Sequence, residues 1–222
     1  MSEPSPGCER LNACHRATYD GVAARYAEVN AALPEAVAAS ARQFVALLGG
    51  TGRVLELGCG HGRDVAWFEA RGLTVVGADL SIGMLREADS IVEGPLVQLD
   101  MRQLAFRAGA FDGIWSNAAV IHIPKAAVWS VLAEVRRVLV PGGWFFVSIQ
   151  VGRAEVWEAQ SYGQPLRRFF VRYDPADFAK MLRQAGFRLL AQGENSGGPN
   201  RHWAHYFARS CVADDLRPAD QG

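Results

Sequence analysis

Glu56, Gly58, Gly60 and Gly62, followed downstream by Asp79, Asp100 and His122, are residues whose types and spacing could do chemistry. The first four lie in Val54-Leu55-Glu56-Leu57-Gly58-Cys59-Gly60-His61-Gly62, an apolar run that ends around an acid and enters three glycines at alternate positions. A buried strand turning sharply into a helix is how open α/β sheets build a nucleotide crevice. Glycines let the backbone approach a ligand where a Cβ would collide. Glu56, as an acceptor-only carboxylate, suits ribose hydroxyls better than a phosphate. The spacing narrows this further. A dinucleotide turn needs Gly-x-Gly-x-x-Gly, whereas here the third glycine comes one residue early, and no Gly-Lys-Ser/Thr phosphate loop follows.

Two more acids end apolar runs. Leu73–Ala78 runs into Asp79, 21 positions after Gly58, close to the roughly 20-residue spacing of ribose-binding carboxylates in nucleotide-binding βαβ units. Asp79 could equally cap the helix that starts at Ser81. The third run, Pro95–Leu99, ends in Asp100-Met101. Three strand-end acids at one sheet edge are hard to explain by packing, since buried carboxylates without partners are costly.

Glu56-Leu57-Gly58-Cys59-Gly60-His61-Gly62 resembles the glycine motif of class I S-adenosylmethionine-dependent methyltransferases. Phe111–Asn117 and the helix-to-strand segment Val135–Gly143, with its Pro141-Gly142-Gly143, resemble later landmarks of the same family, so the resemblance spans residues 15–209. Its flavour is that of small bacterial enzymes related to the ubiquinone and menaquinone methyltransferases. The resemblance implies an α/β, Rossmann-like seven-stranded sheet of order 3-2-1-4-5-7-6, with strand 7 antiparallel and helices on both faces. It implies S-adenosylmethionine as cofactor, held by Tyr26, Glu56, Gly58, Cys59, Gly60, Arg63, Asp79, Leu80, Met84, Asp100, Met101 and Asn117. Asp100 would receive the adenine amine, and Met101 would pack on the ring. Arg63 either pairs with the cofactor carboxylate or stands in solvent, and Tyr26 either closes over the methionine end or belongs to the core.

His122 follows the fourth strand, outside the sheet's carboxyl edge. With a free pKa of about 6.5, it suits proton removal near neutral pH; the alternative is a histidine that only lines the pocket or holds the loop. Arg153–Tyr173 carries Trp157, Tyr162, Phe170 and Tyr173, and connections this long are uncommon unless functional. It reads as a substrate lid over residues 152–173, or as a subunit-pairing patch. His202, near the last loop, is a further candidate substrate contact.

These elements belong to one domain, residues 15–209, with cap helices within 15–50 and flexible ends at 1–14 and 210–222. Strands are expected at about 53–58, 73–79, 95–100, 112–117, 143–150, 187–194 and 202–209. Pro141-Gly142-Gly143 is expected to stop a helix and reverse the chain. The 222 residues carry 23 basic and 23 acidic side chains, and local net charge runs about −2, +4 and −2 over residues 1–150, 151–209 and 210–222. That is too weak for a phosphate-tracking surface, so nucleic acid is disfavoured. Four scattered cysteines make no zinc spacing, and no secretory leader or membrane span stands out, which suits a cytoplasmic monomer or homodimer. The expected activity is methyl transfer to oxygen or nitrogen of a small aromatic or apolar metabolite. A tRNA wobble-uridine carboxyl methyltransferase and a non-catalytic binder of the cofactor are the alternatives.

Overall fold

The computed structural model describes residues 7–196 and 201–211. Two helices, α1 (Cys8–Val29) and α2 (Glu35–Leu47), precede β1 (Arg53–Leu57), α3 (Arg63–Glu69), β2 (Thr74–Asp79), α4 (Ile82–Ala88) and β3 (Leu96–Gln98). Then come β4 (Phe111–Ser116), a 3₁₀ turn at Val120–His122, α5 (Val128–Val138) and β5 (Leu139–Val151). A hairpin of β6 (Glu155–Glu158) and β7 (Arg168–Tyr173) leads to α6 (Pro175–Gln184), β8 (Phe187–Ser196) and β9 (His202–Ser210).

The main sheet runs β3-β2-β1-β4-β5-β9-β8, with β9 antiparallel to both neighbours and the first five strands parallel. This is the expected seven-strand order. The apolar residues of β1 sort by parity onto two faces, as strand geometry requires. Leu55 and Leu57 join the core under α5 and α6, whereas Val54 joins Phe44, Phe68, Trp115 and Phe146 under α2 and α3. Trp115 stacks on Phe146 with ring centroids 3.7 Å apart.

Two strands are additional. The expected lid is the β6–β7 hairpin, and β7 pairs in parallel with Gln150 and Val151 of β5. Gln150 also pairs with Trp203 on its other edge, so β7 takes the place beside β5 that β4 leaves after Ser116. Pro141-Gly142-Gly143 is no reversal either. The helix ends at Val138, and these residues form a bulge inside β5, where the register jumps between Phe111↔Leu139 and Gly113↔Trp144. Gly142 supplies the positive φ of 78° that such a bulge demands.

The amino-terminal helix begins at Cys8, so residues 8–14 are not a flexible end; Leu11, 1 % exposed, anchors them in the core. Likewise Ser210 and Cys211 are held, through the Cys211 amide on the Gly186 carbonyl and Arg136 on Ser210 and Cys211. Residues 1–6 and 212–222, and most of the last loop at 197–200, lie outside the described residues. No helix among the described residues is long and apolar enough to cross a membrane.

Candidate functional site

The β1–α3 turn is shaped by its glycines. A Cβ on Gly58, whose φ is 75°, would meet the Ala119 Cβ at 2.3 Å. The turn is thus packed directly beneath the segment after β4. The amides of Gly58 and Cys59 both donate to the Ala78 carbonyl, tying the turn to β2. At Gly60 a Cβ would meet only Tyr26, at 3.7 Å, because this glycine faces open space.

Asp79 ties the glycine turn to the start of α4. Its carboxylate accepts the Gly60 amide at 2.9 Å and the Ser81 amide at 2.8 Å, so it fixes the turn and the start of α4 at once. Each oxygen keeps a second lone pair for a ligand hydroxyl. The formal helix cap is Ser81, whose Oγ accepts the Met84 amide and donates to Asp20 of α1. Asp100 accepts from Asn12 at 2.6 Å and forms an ion pair with Arg102 that holds its carboxyl below the usual range.

Glu56 is the clearest sign of a missing partner. It is 3 % exposed, its Oε2 has no hydrogen-bond partner, and burial, with repulsion from Asp64 added, pushes its carboxyl well up. A bound cation would reverse that. Asp64, 5 % exposed, accepts Trp115 Nε1, Asn117 Nδ2 and Arg63 Nε at 3.0, 3.3 and 2.7 Å. It therefore positions the strand-four end from the helix opposite. Arg63 also donates to the Asn30 carbonyl, so it is engaged within the protein and not loose in solvent.

One cavity gathers most of the candidates. Tyr26, Gly58, Gly60, Asp79, Leu80, Met84, Asp100, Met101, Asn117 and His122 all line it. Cys59, Glu56 and Arg63 open instead onto a second cavity that shares Tyr26, Gly58, Asn117 and Ala118 with the first. The residues present suit S-adenosylmethionine: the first cavity offers Asp79 and Asp100 to a nucleoside, while Glu56, expected to suit ribose hydroxyls, opens onto the second cavity, where its unpartnered carboxyl would face a cationic group. Among the described residues no cluster of His, Cys, Asp and Glu could hold a metal ion.

His122 sits at the centre of a chain of hydrogen bonds. Its Nδ1 lies 2.8 Å from the Phe169 carbonyl, which can only accept, so Nδ1 carries the proton. Nε2 is then the acceptor for the Tyr19 hydroxyl at 2.7 Å. The Arg168 guanidinium lies near the Tyr19 hydroxyl and interacts with it electrostatically. The Phe169 amide donates to His15 Nε2 at 3.0 Å. Burial brings the His122 imidazole down to about 4 and His15, where His122 adds to the effect, to about 2. His122 is therefore neutral and a weaker base than its ordinary pKa suggests.

None of the four expected lid contacts lines either cavity. Phe170 and Tyr162 stand one layer behind, with Phe170 4.8 Å from the His122 ring and Tyr162 5.2 Å from that of Tyr26, whereas Trp157 packs on Phe169 and Tyr173 on Phe178. His202 is exposed and lines neither, while Arg201, Trp203 and His205 line the second. Alternation along β9 turns His202 to the face opposite Trp203. Sequence reasoning missed Asn12, His15, Asp20 and Asp64. For Asn12, His15 and Asp20 the available signal was polar residues recurring along α1, beside Tyr19 and Tyr26; Asp64, on α3, had only its place after the glycine turn.

Residues 55–147 match the family model described as a methyltransferase domain. An uncharacterized methyltransferase of Synechocystis is 30 % identical over 155 residues, covering 66 % of this chain and 71 % of that protein. A ubiquinone biosynthesis O-methyltransferase of Thiobacillus denitrificans is 30 % identical over 152 residues, with 60 % of this chain and 63 % of that protein covered. This chain thus spans less than two thirds of that second relative. Among solved structures, the 1,6-didemethyltoxoflavin N1-methyltransferase of Burkholderia thailandensis, crystallised with its substrate and S-adenosylhomocysteine, superposes with a TM-score of 0.79. It covers 96 % of this chain and 94 % of that one at 22 % identity. With the glycine turn and carboxylates above, these similarities establish that the chain belongs to the class I S-adenosylmethionine-dependent methyltransferases.

Proposed function

We propose that this protein methylates an oxygen or nitrogen of a small molecule, with Tyr19 and His122 receiving the proton that the acceptor gives up. The observation that carries this reading is the Tyr19–His122 hydrogen bond, formed by two residues that line the cavity of the glycine turn and strand-end acids. When bound, S-adenosylmethionine supplies an electrophilic methyl group on a sulfonium. The protein's part is to align the acceptor, exclude water and move a proton.

The proton path follows from the tautomer. The acceptor O–H or N–H proton passes to the Tyr19 oxygen as the Tyr19 proton passes to His122 Nε2. Phe169's carbonyl, hydrogen-bonded to Nδ1, stabilises the resulting imidazolium. A base this weak suffices once transfer has begun, because an oxygen or nitrogen bearing a new methyl group is far more acidic than the free acceptor. Arg168, beside the Tyr19 oxygen, stabilises negative charge that develops there while the proton is in transit.

Small-molecule acceptors are favoured over RNA by the balanced charge and by the aromatic rings of Tyr19 and Tyr26 in the cavity wall. The test is incubation with methyl-labelled S-adenosylmethionine and a panel of phenols, carboxylic acids, N-heterocycles and bulk tRNA. Label on a phenol, acid or heterocycle supports the reading. Label on tRNA alone, or cofactor binding with no transfer to any class, overturns it.

A further inference from the structure

At Phe169, no described strand pairs with the β5-side edge of β7. The pairing with β5 involves only Arg172 and Tyr173, further along the strand, while on the other side Phe169 stands opposite Trp157 of β6. The main chain of Phe169 is met instead by two side chains. Its amide donates to His15 Nε2 at 3.0 Å, and its carbonyl accepts from His122 Nδ1 at 2.8 Å. In an extended strand the N–H and C=O of one residue point to the same edge, so the two imidazoles stand side by side there. Their rings meet edge-on, with 4.9 Å between centroids.

These bonds fix the protons. A backbone amide only donates, so His15 Nε2 presents its lone pair and, in a neutral ring, Nδ1 carries the proton. A carbonyl only accepts, so His122 bears its proton on Nδ1 and keeps Nε2 for the Tyr19 hydroxyl. An imidazole free in water favours the opposite tautomer, with the proton on Nε2, which could not accept from Tyr19. The Phe169 carbonyl must therefore be held where it is.

We infer that His15 is a positioning residue for methyl transfer: by gripping the Phe169 amide it keeps the carbonyl of the same residue on His122 Nδ1, and so keeps His122 Nε2 available as the base. The inference rests on the proposed proton path through Tyr19 and His122.

Three features select His15 for this task. It lies one helical turn before Tyr19 on α1, and residues four apart share a helix face. One helix thus supplies both the phenol at Nε2 and the imidazole that governs the Nδ1 side. A second tie, from Thr18 Oγ1 to the Arg167 carbonyl at 2.7 Å, holds α1 against the hairpin but bonds a different peptide unit, so it does not set the rotation of Phe169. Burial brings the His15 imidazole down to about 2, so its Nε2 remains an acceptor throughout the neutral range. A buried amide that loses its acceptor is costly, and without His15 the strand edge would turn to find another.

The test compares one amide group at two lengths. The side-chain oxygen of His15→Gln reaches the place of Nε2, whereas that of His15→Asn ends near the place of Nδ1 and leaves the Phe169 amide unmet. Long-range proton–nitrogen NMR on the full chain with isotope-labelled histidine reports which ring nitrogen bears the proton, and His122→Ala identifies the His122 signals. Wild-type protein should show His122 protonated on Nδ1 and His15 unprotonated on Nε2. His15→Gln should keep that His122 tautomer, while His15→Asn should shift it towards the Nε2-protonated form and speed hydrogen exchange of the Phe169 amide. Turnover of a panel compound that wild-type protein labels should fall at least about tenfold in His15→Asn, as expected for a misdirected imidazole tautomer. It should fall much less in His15→Gln, with S-adenosylhomocysteine affinity near wild type in both variants. A proton on His122 Nε2 in wild-type protein, an unmoved tautomer in His15→Asn, or equal turnover losses in the two variants would overturn the inference. Failure of the tautomer measurement strikes His15 alone, because it is read without an acceptor; a panel in which nothing is labelled strikes the proposed transfer, and the inference with it.

Discussion

The Tyr19 hydroxyl and His122 Nε2, 2.7 Å apart, join the amino-terminal helix to the segment after β4. The Phe169 carbonyl on Nδ1 sets the imidazole's tautomer, so Nε2 accepts from the phenol, and Tyr19 and His122 both line the cavity. Removing either partner leaves the other with an unsatisfied polar atom. His122→Ala and Tyr19→Phe should each lower turnover by about 10²-fold or more, the range of lost general-base catalysis, with S-adenosylhomocysteine affinity near wild type. Single-turnover transfer assays with calorimetry for the cofactor check this. Turnover near wild type in both variants would remove the pair from the proton path.

His15 and His122 predict how the fold responds to acid. Both are held neutral by burial, at about 2 and about 4, whereas an unfolded histidine binds a proton near 6.5. Between those values the unfolded chain holds more protons, so stability rises with pH and falls as pH drops from about 6.5 towards 4. Each such imidazole contributes a slope of roughly 1.4 kcal/mol per pH unit in that window. Glu56 and Asp79, whose carboxyls are raised in the folded protein, contribute slopes of the opposite sign, so the histidine contribution is read as a difference. Between about pH 4 and 6.5 the urea midpoint of His15→Gln should fall less steeply with acid than that of wild type. An unchanged slope in that variant would show that His15 is not the titrating group.

The glycine turn was legible because it is local, whereas the sheet order was available only through the family resemblance and not from any periodicity. Glu56, Asp79 and Asp100 each follow an apolar run, and alternating glycines announce a tight approach. The hairpin was not legible. β7 pairs with only two residues of β5, and its Arg168-Phe169-Phe170-Val171-Arg172-Tyr173 pattern reads as a strand only once β4 has stopped short. His15 and Phe169 are 154 positions apart, and no spacing rule connects them. The start of α1 was hidden because Cys8–Cys14 is mostly polar and depends on Leu11 for its anchor. Trp157, Tyr162, Phe170 and Tyr173 looked like substrate contacts because aromatic content does not say which side chains reach a cavity.

Gly58 and Gly60 look equivalent in sequence and differ in what a methyl group would meet. At Gly58 it would strike Ala119 at 2.3 Å with φ at 75°, whereas at Gly60 it would find only Tyr26 at 3.7 Å with φ at 55°. Gly58→Ala should therefore damage both fold and binding, with a stability loss of about 1–3 kcal/mol from overpacking and strain. Gly60→Ala should cost about 1 kcal/mol for its left-handed backbone yet still reduce cofactor affinity at least tenfold, because its Cβ enters the cavity. Thermal melts beside cofactor titrations separate the two. Equal melting losses would mean that the Gly60 turn is packed as tightly as Gly58.

Glu56 couples cofactor binding to a proton. Its carboxyl is raised by burial first and by the neighbouring Asp64 second, with Arg63 opposing, so the free protein holds the acid in its protonated form well above the usual carboxylate range. A cationic amino-acid end placed beside Oε2 favours the carboxylate. Binding should then release a proton, and affinity should rise with pH until Glu56 is ionised in the free protein. Calorimetry in two buffers of different ionisation enthalpy reads the released proton directly. Glu56→Gln should abolish the release and weaken binding, because the amide keeps the shape but cannot become charged. Proton release that persists in Glu56→Gln would assign it to another group and leave Glu56 a neutral hydrogen-bond donor.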